Sequence, residues 1–280
     1  MSSPDLTNQT AVVTGASSGI GRAIAERLGG CGAHVYLSGR TREALEESAQ
    51  RIVDSGGQAT IDVADVCHPD AVRALIELAT EATGRLDILV NNAGYTVLGS
   101  LLDGDDDGWR AMLETNVLAL LVGCQAAVRA MRATKTPGHI VNISSVAALD
   151  PSSGVYGATK HAVNVITNSL RRELANDPIQ VTSVMPGLVA TNLGRYSDPA
   201  ILAGIVAASG IDYELTKGER MPDAILEGAQ AVLSEIMIRP ADIADAVLFV
   251  VGQSTHVDIT EMVIRPNKSI DFQASGPLGG

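Results

Sequence analysis

The stretch AVVTGASSGIGRAIAERLGG, residues 11–30, decides the fold of this chain. Its first five residues, AVVTG, are typical of a buried strand that closes in a glycine turn. The apolar residues of IGRAIAERLGG (20–30) recur at helical spacing, so a helix is predicted directly after the turn. A strand that leads straight into a helix is typical of parallel α/β sheets, and the same succession continues along the chain.

Short apolar runs alternate with longer helical patterns through the whole sequence. Further strands are predicted at 34–39, 58–66, 86–94, 139–144, 179–187 and 261–266. Further helices are predicted at 41–57, 69–84, 105–133, 154–176, 199–208, 221–235 and 241–253. This alternation implies right-handed crossovers, and hence an α/β fold with one domain over 1–280: a doubly wound (Rossmann) parallel sheet with helices on both faces.

Residues 190–238 interrupt that alternation before the last helix and strand. Ligands of open α/β sheets lie beyond the carboxyl ends of the strands, where such an insertion would form a lid or a substrate wall. Its candidate wall residues are Leu193, Tyr196, Ile201, Leu202, Ile205 and Ile225. The same residues could equally pack a helix against the sheet.

The composition limits the classes of partner. The chain has 280 residues, a net charge of −12 and a pI near 4.8, so it is repelled by nucleic acids and anionic membranes. Its three cysteines, Cys31, Cys67 and Cys124, are far apart and are expected to be inert thiols in a reducing compartment. Neither a secretory leader nor an apolar run of about 18 residues is visible, so a cytoplasmic protein is expected.

The glycines of TGASSGIG (14–21) point to a phosphate ligand. Gly15, Gly19 and Gly21 lie where the first strand turns into the first helix. Glycines permit the tight turn and let backbone N–H groups approach a pyrophosphate at the helix N-terminus. The spacing is GxxxGxG and not the dinucleotide fingerprint GxGxxG, so a purely structural turn stays open.

The end of the second strand bears on the choice of cofactor. A site that prefers NAD usually carries an acid there, which holds the ribose 2′-hydroxyl. This chain has Gly39 followed by Arg40, and an arginine can pair with a 2′-phosphate. NADP(H) is therefore favoured over NAD(H), with a solvated arginine as the alternative.

Tyr156 and Lys160 are candidates for proton transfer. They lie four positions apart near the start of a predicted helix, so their side chains share one face. A free phenol has a pKa near 10, and a neighbouring ammonium and an oxidised nicotinamide would both lower that pKa. YxxxK alone is a common coincidence, so the pair needs support from other motifs.

Six motifs supply that support. TGASSGIG, NNAG (91–94), the Asn of ETNV, the strand end ISS, YGATK and MPGLVAT (185–191) occur in the order found in the short-chain dehydrogenase/reductase family. The chain resembles this family over about residues 8–265. The resemblance implies an NAD(P)-dependent oxidoreductase with a single doubly wound domain, assembled as a homotetramer or homodimer and acting on a small-molecule carbonyl or alcohol.

The resemblance also assigns roles to residues. Tyr156 is implied as the general acid/base, Lys160 lowers its pKa and holds the nicotinamide ribose, and Asn116 helps to anchor a proton-relay water. Asp65 and Val66 are implied beside the adenine, and Asn92, Ala93 and Gly94 along the adenosine side of the cofactor. The full implied cofactor set is Gly15, Ser17, Ser18, Gly19, Ile20, Gly21, Arg40, Asp65, Val66, Asn92, Ala93, Gly94, Tyr156, Lys160, Pro186, Gly187, Val189 and Thr191.

The serine that would polarise the substrate oxygen is less clearly assigned. Alignment on the strand end selects Ser145, whose hydroxyl would steady the developing oxyanion. Only 11 positions separate Ser145 from Tyr156, somewhat fewer than is common in the family. Ser144, Ser152 and Ser153 therefore remain rivals, although the last two lie in a DPSSG turn where helix capping is their simpler role.

An acidic stretch, DGDDDGWRAMLE (103–114), fits the spacing of a calcium loop. Such a loop needs a helix on each side, whereas this one follows a predicted strand and turn. Acids at a helix N-terminus are explained by the helix macrodipole, and the five histidines show neither HxH nor HExxH spacing. No metal is expected.

These observations predict an NADP(H)-dependent oxidoreductase of the ketoreductase kind. It would transfer a hydride between the nicotinamide and a carbonyl or secondary alcohol of a small or medium apolar substrate. One alternative is a 3-oxoacyl reductase for substrates carried on a carrier protein or CoA, although 190–238 has no evident basic patch for an acidic carrier. Another is a catalytically silent NADP-binding sensor, a kind of protein that typically lacks the Tyr or the Lys.

Overall fold

A parallel sheet organises the computed structural model, which describes residues 3–102, 104–197 and 199–268, without the side chains of 200 and 201. Within them the strands are β1 Thr10–Thr14, β2 His34–Gly39, β3 Gln58–Val63, β4 Ile88–Asn91, β5 Gly138–Ile143, β6 Ile179–Pro186 and β7 Glu261–Ile264. They pair in the order β3-β2-β1-β4-β5-β6-β7, all parallel. The predicted doubly wound α/β fold is confirmed, and its strand order reverses between β1 and β4.

Helices connect the strands across both faces of the sheet. They are α1 Gly19–Gly29, α2 Arg42–Asp54, α3 Pro69–Thr83, α4 Asp106–Leu113, α5 Ala119–Thr134, α6 Gly154–Glu173, α7 Pro199–Ser209, α8 Asp223–Val232 and α9 Pro240–Val251. The helix predicted over 105–133 divides into α4, a π-helical turn at Glu114–Leu118 and α5. Short 3₁₀ turns that the sequence did not predict occur at Val146–Leu149 and Leu193–Tyr196.

The two faces of the sheet carry separate apolar cores. Successive side chains of a strand point to opposite faces, so Val13 of β1 packs in one core and Val12 in the other. The first core includes Ile24 of α1 and Val247 of α9, and the second is covered by α3, α5 and α6. Burial of each valine stabilises the fold by about 1.5–3 kcal/mol.

The insertion predicted at 190–238 has a small core of its own. Leu202, Ile225 and Met237 are buried in it, and Ile205 packs against them. A β-bridge between Val189 and Ile238 joins the two ends of the insertion. Leu202, Ile205 and Ile225 therefore pack α7 on α8, while the side chain of the candidate wall residue Ile201 lies outside the described set.

The helical run Asp106–Thr134 is, within the described residues, the one segment long and apolar enough to cross a membrane by length and composition. Half of its most apolar window is buried inside the protein. Leu120, Ala127 and Val128 of this run belong to the second core. The run is therefore a core helix of the fold.

The acidic stretch before α4 acts as a helix cap. The Asp105 carboxylate accepts the Gly108 N–H at 2.6 Å and so begins α4, as expected of an acid at a helix N-terminus. Asp103, the first residue of the calcium-like pattern, lies outside the described residues. Within the described ranges, no group of three or more His, Cys, Asp or Glu side chains could hold a metal ion.

Candidate active site

The glycine-rich turn between β1 and α1 leaves room for a ligand. Gly15 and Gly19 have positive φ angles of +66° and +56°, which side chains rarely adopt. A Cβ on Gly21 would lie 2.3 Å from the Gly15 carbonyl oxygen, so only glycine lets α1 begin this close to the turn. Ser18 is the N-cap residue of α1, and its side chain makes no capping bond with any described residue. The first N–H groups of α1, those of Gly19, Ile20 and Gly21, can thus receive an anion, and Ser17 precedes them in the turn.

Arg22, a residue that the sequence analysis missed, holds this turn in place through hydrogen bonds and ion pairs. Its buried guanidinium donates to the Ser17 carbonyl at 2.9 Å and to Ser48 Oγ at 3.1 Å. It also pairs with Glu47 of α2 and with Asp223 at the start of α8. One side chain thereby joins the glycine turn, α2 and the insertion. The signal available in the sequence was an arginine among the apolar residues of IGRAIA.

The NNAG segment at the end of β4 is fastened to the same turn. Asn92 Nδ2 donates to the carbonyls of Thr14 and Gly15 at 2.9 and 3.2 Å. The Thr14 hydroxyl accepts the N–H groups of Asn92 and Ala93 at 3.1 and 3.0 Å. Val66, after β3, lines a small cavity together with Thr14 and Ala93. The residues predicted along the adenosine side therefore lie together at the carboxyl edge of the sheet.

Arg40 and Asp65 occupy the outer end of this edge. Gly39 is the last residue of β2, and its carbonyl accepts the Ala64 N–H, so Arg40 and Asp65 follow neighbouring strand ends. Burial acts to raise the pKa of Asp65, but the Cys67 N–H bond and the Arg40 charge outweigh it and lower that pKa below its ordinary value. Arg40 itself is solvent-exposed.

Tyr156 and Lys160 share one face of α6, as their spacing predicted. Lys160 Nζ lies 5.9 Å from the centre of the Tyr156 ring and donates to the Ile143 carbonyl at 2.8 Å. Burial lowers the pKa of Lys160 to about 8. Burial also raises the pKa of Tyr156 to about 12, against the expected lowering by its neighbour. The expectation was wrong for the protein alone, because loss of solvation outweighs the bond with Ser145, which acts to lower that pKa.

The candidate serines differ in their partners. Ser144 is buried, and its hydroxyl donates to the Lys160 carbonyl at 3.1 Å. Ser145 begins the 3₁₀ turn at Val146–Leu149, and its Oγ accepts the Ala147 N–H at 3.1 Å. Because this bond uses only a lone pair, the Ser145 proton remains available to Tyr156 or a substrate oxygen.

Ser152 and Ser153, the candidate serines farther from the end of β5, lie in the turn before α6. The Ser152 hydroxyl is exposed and donates to Asp150 at 2.7 Å. Ser153 stands at the N-cap position, but its side chain makes no capping bond with the described residues. The turn is therefore stabilised by Asp150, and the expected capping by Ser152 and Ser153 is wrong.

Asn116 lies in the π-helical turn and is 2% exposed. Its Oδ1 accepts the Tyr95 N–H at 2.8 Å, and its Nδ2 donates to the Tyr95 carbonyl at 2.9 Å and to Thr159 Oγ1 at 3.0 Å. Thr159 in turn donates to the Tyr156 carbonyl at 2.7 Å. The side chain of Asn116 thus joins the segment after Gly94 to the helix that carries Tyr156.

The segment after β6 closes the edge from the other side. Pro186 ends β6, and the Gly187 N–H donates to the Ile264 carbonyl at 2.7 Å. Farther along, Thr191 Cγ2 lies 3.0 Å from the position of a Cβ on Gly19. Thr191 therefore lies against the glycine-rich turn. The predicted cofactor residues after β6 and those of the turn thus meet at this edge of the sheet.

Residues 191–197, called the strap below, continue across this edge. Leu193 Cδ1 lies 3.6 Å from the position of a Cβ on Gly94. The Tyr196 ring packs against the Tyr95 ring with 4.8 Å between their centres. Both Leu193 and Tyr196, predicted as wall residues of a lid, thus contact the segment that follows β4.

Comparison with known proteins agrees with this geometry. The family described as short chain dehydrogenase matches residues 9–201. The chain belongs to the short-chain dehydrogenase family. The sequence prediction of this family, and of an NAD(P)-dependent oxidoreductase, is confirmed.

Members of this family resemble the chain along almost all of its length. An uncharacterized oxidoreductase of Staphylococcus saprophyticus is 35% identical over 94% of this chain and 99% of its own. A metagenomic short-chain oxidoreductase, solved in complex with NADP, is 33% identical with a TM-score of 0.73, covering 94% of this chain and 99% of its own. A short chain dehydrogenase of Burkholderia cenocepacia, also solved with NADP, has the same identity and TM-score, with coverages of 94% and 98%.

Proposed function

We propose that this short-chain dehydrogenase interconverts a carbonyl and a secondary alcohol of a small or medium apolar molecule, with NADP(H) as its cofactor. One observation carries the proposal: Ser145, Tyr156 and Lys160 converge beside the glycine-rich carboxyl edge, and Asn116 ties that edge to α6. The glycine turn and the uncapped start of α1 fit a dinucleotide. When bound, the nicotinamide supplies or accepts the hydride.

Tyr156 is the proton donor for carbonyl reduction. Its pKa of about 12 keeps the phenol protonated in the resting protein, so the proton is in place when the substrate oxygen becomes basic. The Ser145 hydroxyl, fixed by the Ala147 N–H, donates a second hydrogen bond to that oxygen. The Lys160 ammonium then stabilises the phenolate that remains on Tyr156.

Asn116 acts as a positioning residue. Its side chain makes three hydrogen bonds, two with Tyr95 and one with Thr159, and the family resemblance implies that Asn116 also helps to hold a relay water near Lys160. By fixing Thr159, Asn116 also fixes the turn of α6 that presents Tyr156.

Preference for NADP(H) over NAD(H) is supported by charge. Arg40 follows β2 where a carboxylate would repel a 2′-phosphate, and an exposed guanidinium can form a forked bond with that phosphate. Two relatives described above were solved with NADP. Titration of both cofactors tests this preference, which fails if NADH binds as tightly as NADPH.

The insertion 190–238 is proposed as the substrate lid. The strap at its start crosses the carboxyl edge beside the proposed cofactor site, and Leu193 of the strap lies against Gly94 there. An apolar side chain at this position favours substrates without charge near the reacting carbon. Oxidation of NADPH, followed at 340 nm with a panel of aldehydes, ketones and charged keto acids, tests this class.

A homodimer or homotetramer in the cytoplasm is proposed as the working form. Leu113, Leu118 and Leu121 expose 52%, 42% and 47% of their surface along one helical run, and Val165 of the neighbouring α6 exposes 51%. Such apolar exposure is typical of surfaces covered by another copy. Light scattering during size exclusion gives the mass, and Leu118→Glu should lower it.

The central test of the function is Tyr156→Phe. This variant should lose at least about 99% of its carbonyl reductase activity while binding NADPH normally, because only the transferable proton is removed. Substantial retained turnover with an accepted ketone would refute the proposed role of Tyr156.

A further inference from the structure

Two arginines converge on one phenol oxygen at the outer end of the carboxyl edge. Arg40 Nη2 and Arg195 Nη2 each donate to Tyr196 Oη at 3.4 Å. Arg195 also lies over the Tyr196 ring, with 4.6 Å from its guanidinium carbon to the ring centre. Two guanidinium groups that share one neutral oxygen repel each other, and an anion between them would relieve that repulsion.

No carboxylate among the described residues forms an ion pair with either arginine, and the Asp65 carboxylate acts on Arg40 only from a greater distance. No carboxylate of the described ranges lies within 4.0 Å of the Arg40 or Arg195 nitrogens. By contrast, Arg27, Arg132 and Arg239 lie on open surface and each contacts a carboxylate. The net charge of −12 makes such a pair of arginines unusual and favours an anionic ligand for it.

The position of Arg40 and Arg195 indicates which anion would bind between them. A Cβ on Gly39, the residue before Arg40, would lie 3.3 Å from Ser17 Oγ in the glycine-rich turn. Tyr196 packs on Tyr95, which follows Gly94. The two guanidiniums therefore lie beside the groups proposed for the adenosine half of the cofactor, on the β2 side where the 2′-phosphate would lie.

We propose that Arg195 of the strap binds the 2′-phosphate of NADP(H) together with Arg40, with the Tyr196 hydroxyl as a third donor. Each guanidinium offers forked N–H donors, and a phosphate dianion can accept from all three groups at once. Tyr196 would exchange its role as acceptor from the arginines for that of donor to the phosphate. The inference rests on the proposed use of NADP(H) and adds to it a determinant located after β6.

The strap makes Arg195 available for this role. The Arg195 carbonyl accepts the Gly218 N–H at 2.8 Å, and its Nη1 donates to the Asn192 carbonyl at 3.0 Å. These bonds fix the backbone and one side of the guanidinium, while Nη2 remains directed at Tyr196. A side chain fixed in this way loses little conformational entropy on binding.

Arg195→Gln tests the proposal through binding and not through turnover. Dissociation constants for NADPH, NADH and 2′,5′-ADP are measured by fluorescence titration or calorimetry with the intact protein. The variant should bind NADPH and 2′,5′-ADP at least about tenfold more weakly, because a charge-assisted hydrogen bond is lost, and should bind NADH within about twofold of wild type. Arg129→Gln, an exposed arginine on α5, is the matched control.

The possible outcomes separate this inference from the function on which it rests. Equal weakening of NADPH and NADH would overturn it, because the arginine would then act on the pyrophosphate or on the fold. Unchanged binding of 2′,5′-ADP would also overturn it, while the preference of the wild type for NADPH could still stand. Wild-type protein that binds both cofactors equally would refute the preference and the inference together. Arg195→Lys, which keeps the charge, should restore part of the lost affinity and shows that the loss in Arg195→Gln is not unfolding.

Discussion

Ser144 donates its hydroxyl to the Lys160 carbonyl at 3.1 Å, which commits the only proton of this serine to the backbone of α6. Ser145, its neighbour, receives the Ala147 N–H and keeps its own proton free. The two serines that the sequence left as rivals therefore differ in chemistry, one supporting the helix and the other facing Tyr156.

The first prediction follows from this difference. Ser145→Ala should lower kcat about 100-fold or more while leaving the dissociation constant of NADPH unchanged, since an oxyanion donor is lost. Ser144→Ala should instead lower the free energy of unfolding by about 0.5–1.5 kcal/mol, because one buried hydrogen bond is lost while the Lys160 carbonyl keeps its partner within α6. Steady-state kinetics and urea unfolding of both variants give the comparison. A larger kinetic loss in Ser144→Ala would reverse the assignment.

The second prediction concerns the pH dependence of stability. Burial lowers the pKa of Lys160 to about 8 in the folded protein, below its ordinary value of 10.5. The unfolded chain therefore binds more protons between pH 8 and 10.5, and this residue makes the folded state more stable as pH rises through that window. Relative to Lys160→Met, wild type should gain up to about 3 kcal/mol in its unfolding free energy from pH 7.5 to 10.5. A flat difference measured by urea unfolding of the cofactor-free proteins would contradict the lowered pKa.

The third prediction concerns Arg22. Arg22→Lys keeps a charge but cannot reach the Ser17 carbonyl, Ser48, Glu47 and Asp223 together. We expect it to lower the unfolding free energy by about 2 kcal/mol and to weaken NADPH and NADH equally, by about tenfold, because the glycine turn loses its support. The equal weakening distinguishes Arg22 from Arg195. Glu47→Gln, which removes a partly exposed partner, should change both quantities much less.

The fourth prediction compares two glycines. Gly21→Ala places a methyl group 2.3 Å from the Gly15 carbonyl and 2.4 Å from Asn92 Nδ2, so the glycine turn must move. Binding of NADPH should fall by about 100-fold or more, since the turn carries the N–H groups proposed for the pyrophosphate. Gly204→Ala on α7 meets nothing within 4 Å and should stabilise the protein by up to about 1 kcal/mol. Calorimetry and thermal unfolding measure both effects, and normal NADPH binding by Gly21→Ala would count against the cofactor site.

The sequence predicted what depends on local periodicity and on backbone geometry. AVVTG and HVYLSG became β1 and β2 within one residue, because buried parallel strands are continuous apolar runs bounded by turns. The positions of Gly15, Gly19 and Gly21 followed from the same cause, since no other residue fits that turn.

What the sequence could not predict depends on tertiary contacts. Arg22 and Arg195 stand in segments whose pattern suits a helix or a loop, and their roles arise from partners up to 201 positions away. The direction of the Tyr156 pKa shift could not be predicted either. Spacing shows which charge lies near the phenol, but not how much water burial removes from it. The difference between Ser144 and Ser145 depends on hydrogen bonds that no motif records.

The π-helical turn at Glu114–Leu118 has a consequence for how this protein can change over time. Its hydrogen bonds enclose one residue more than an α-helical turn, so the residues before and after it are out of phase by about 100°. Deletion of a single residue here would rotate α4 against α5 and withdraw Asn116 from Tyr95. Substitutions can therefore accumulate on either side of the turn, but the number of residues between α4 and α5 must stay constant in any descendant that keeps this contact.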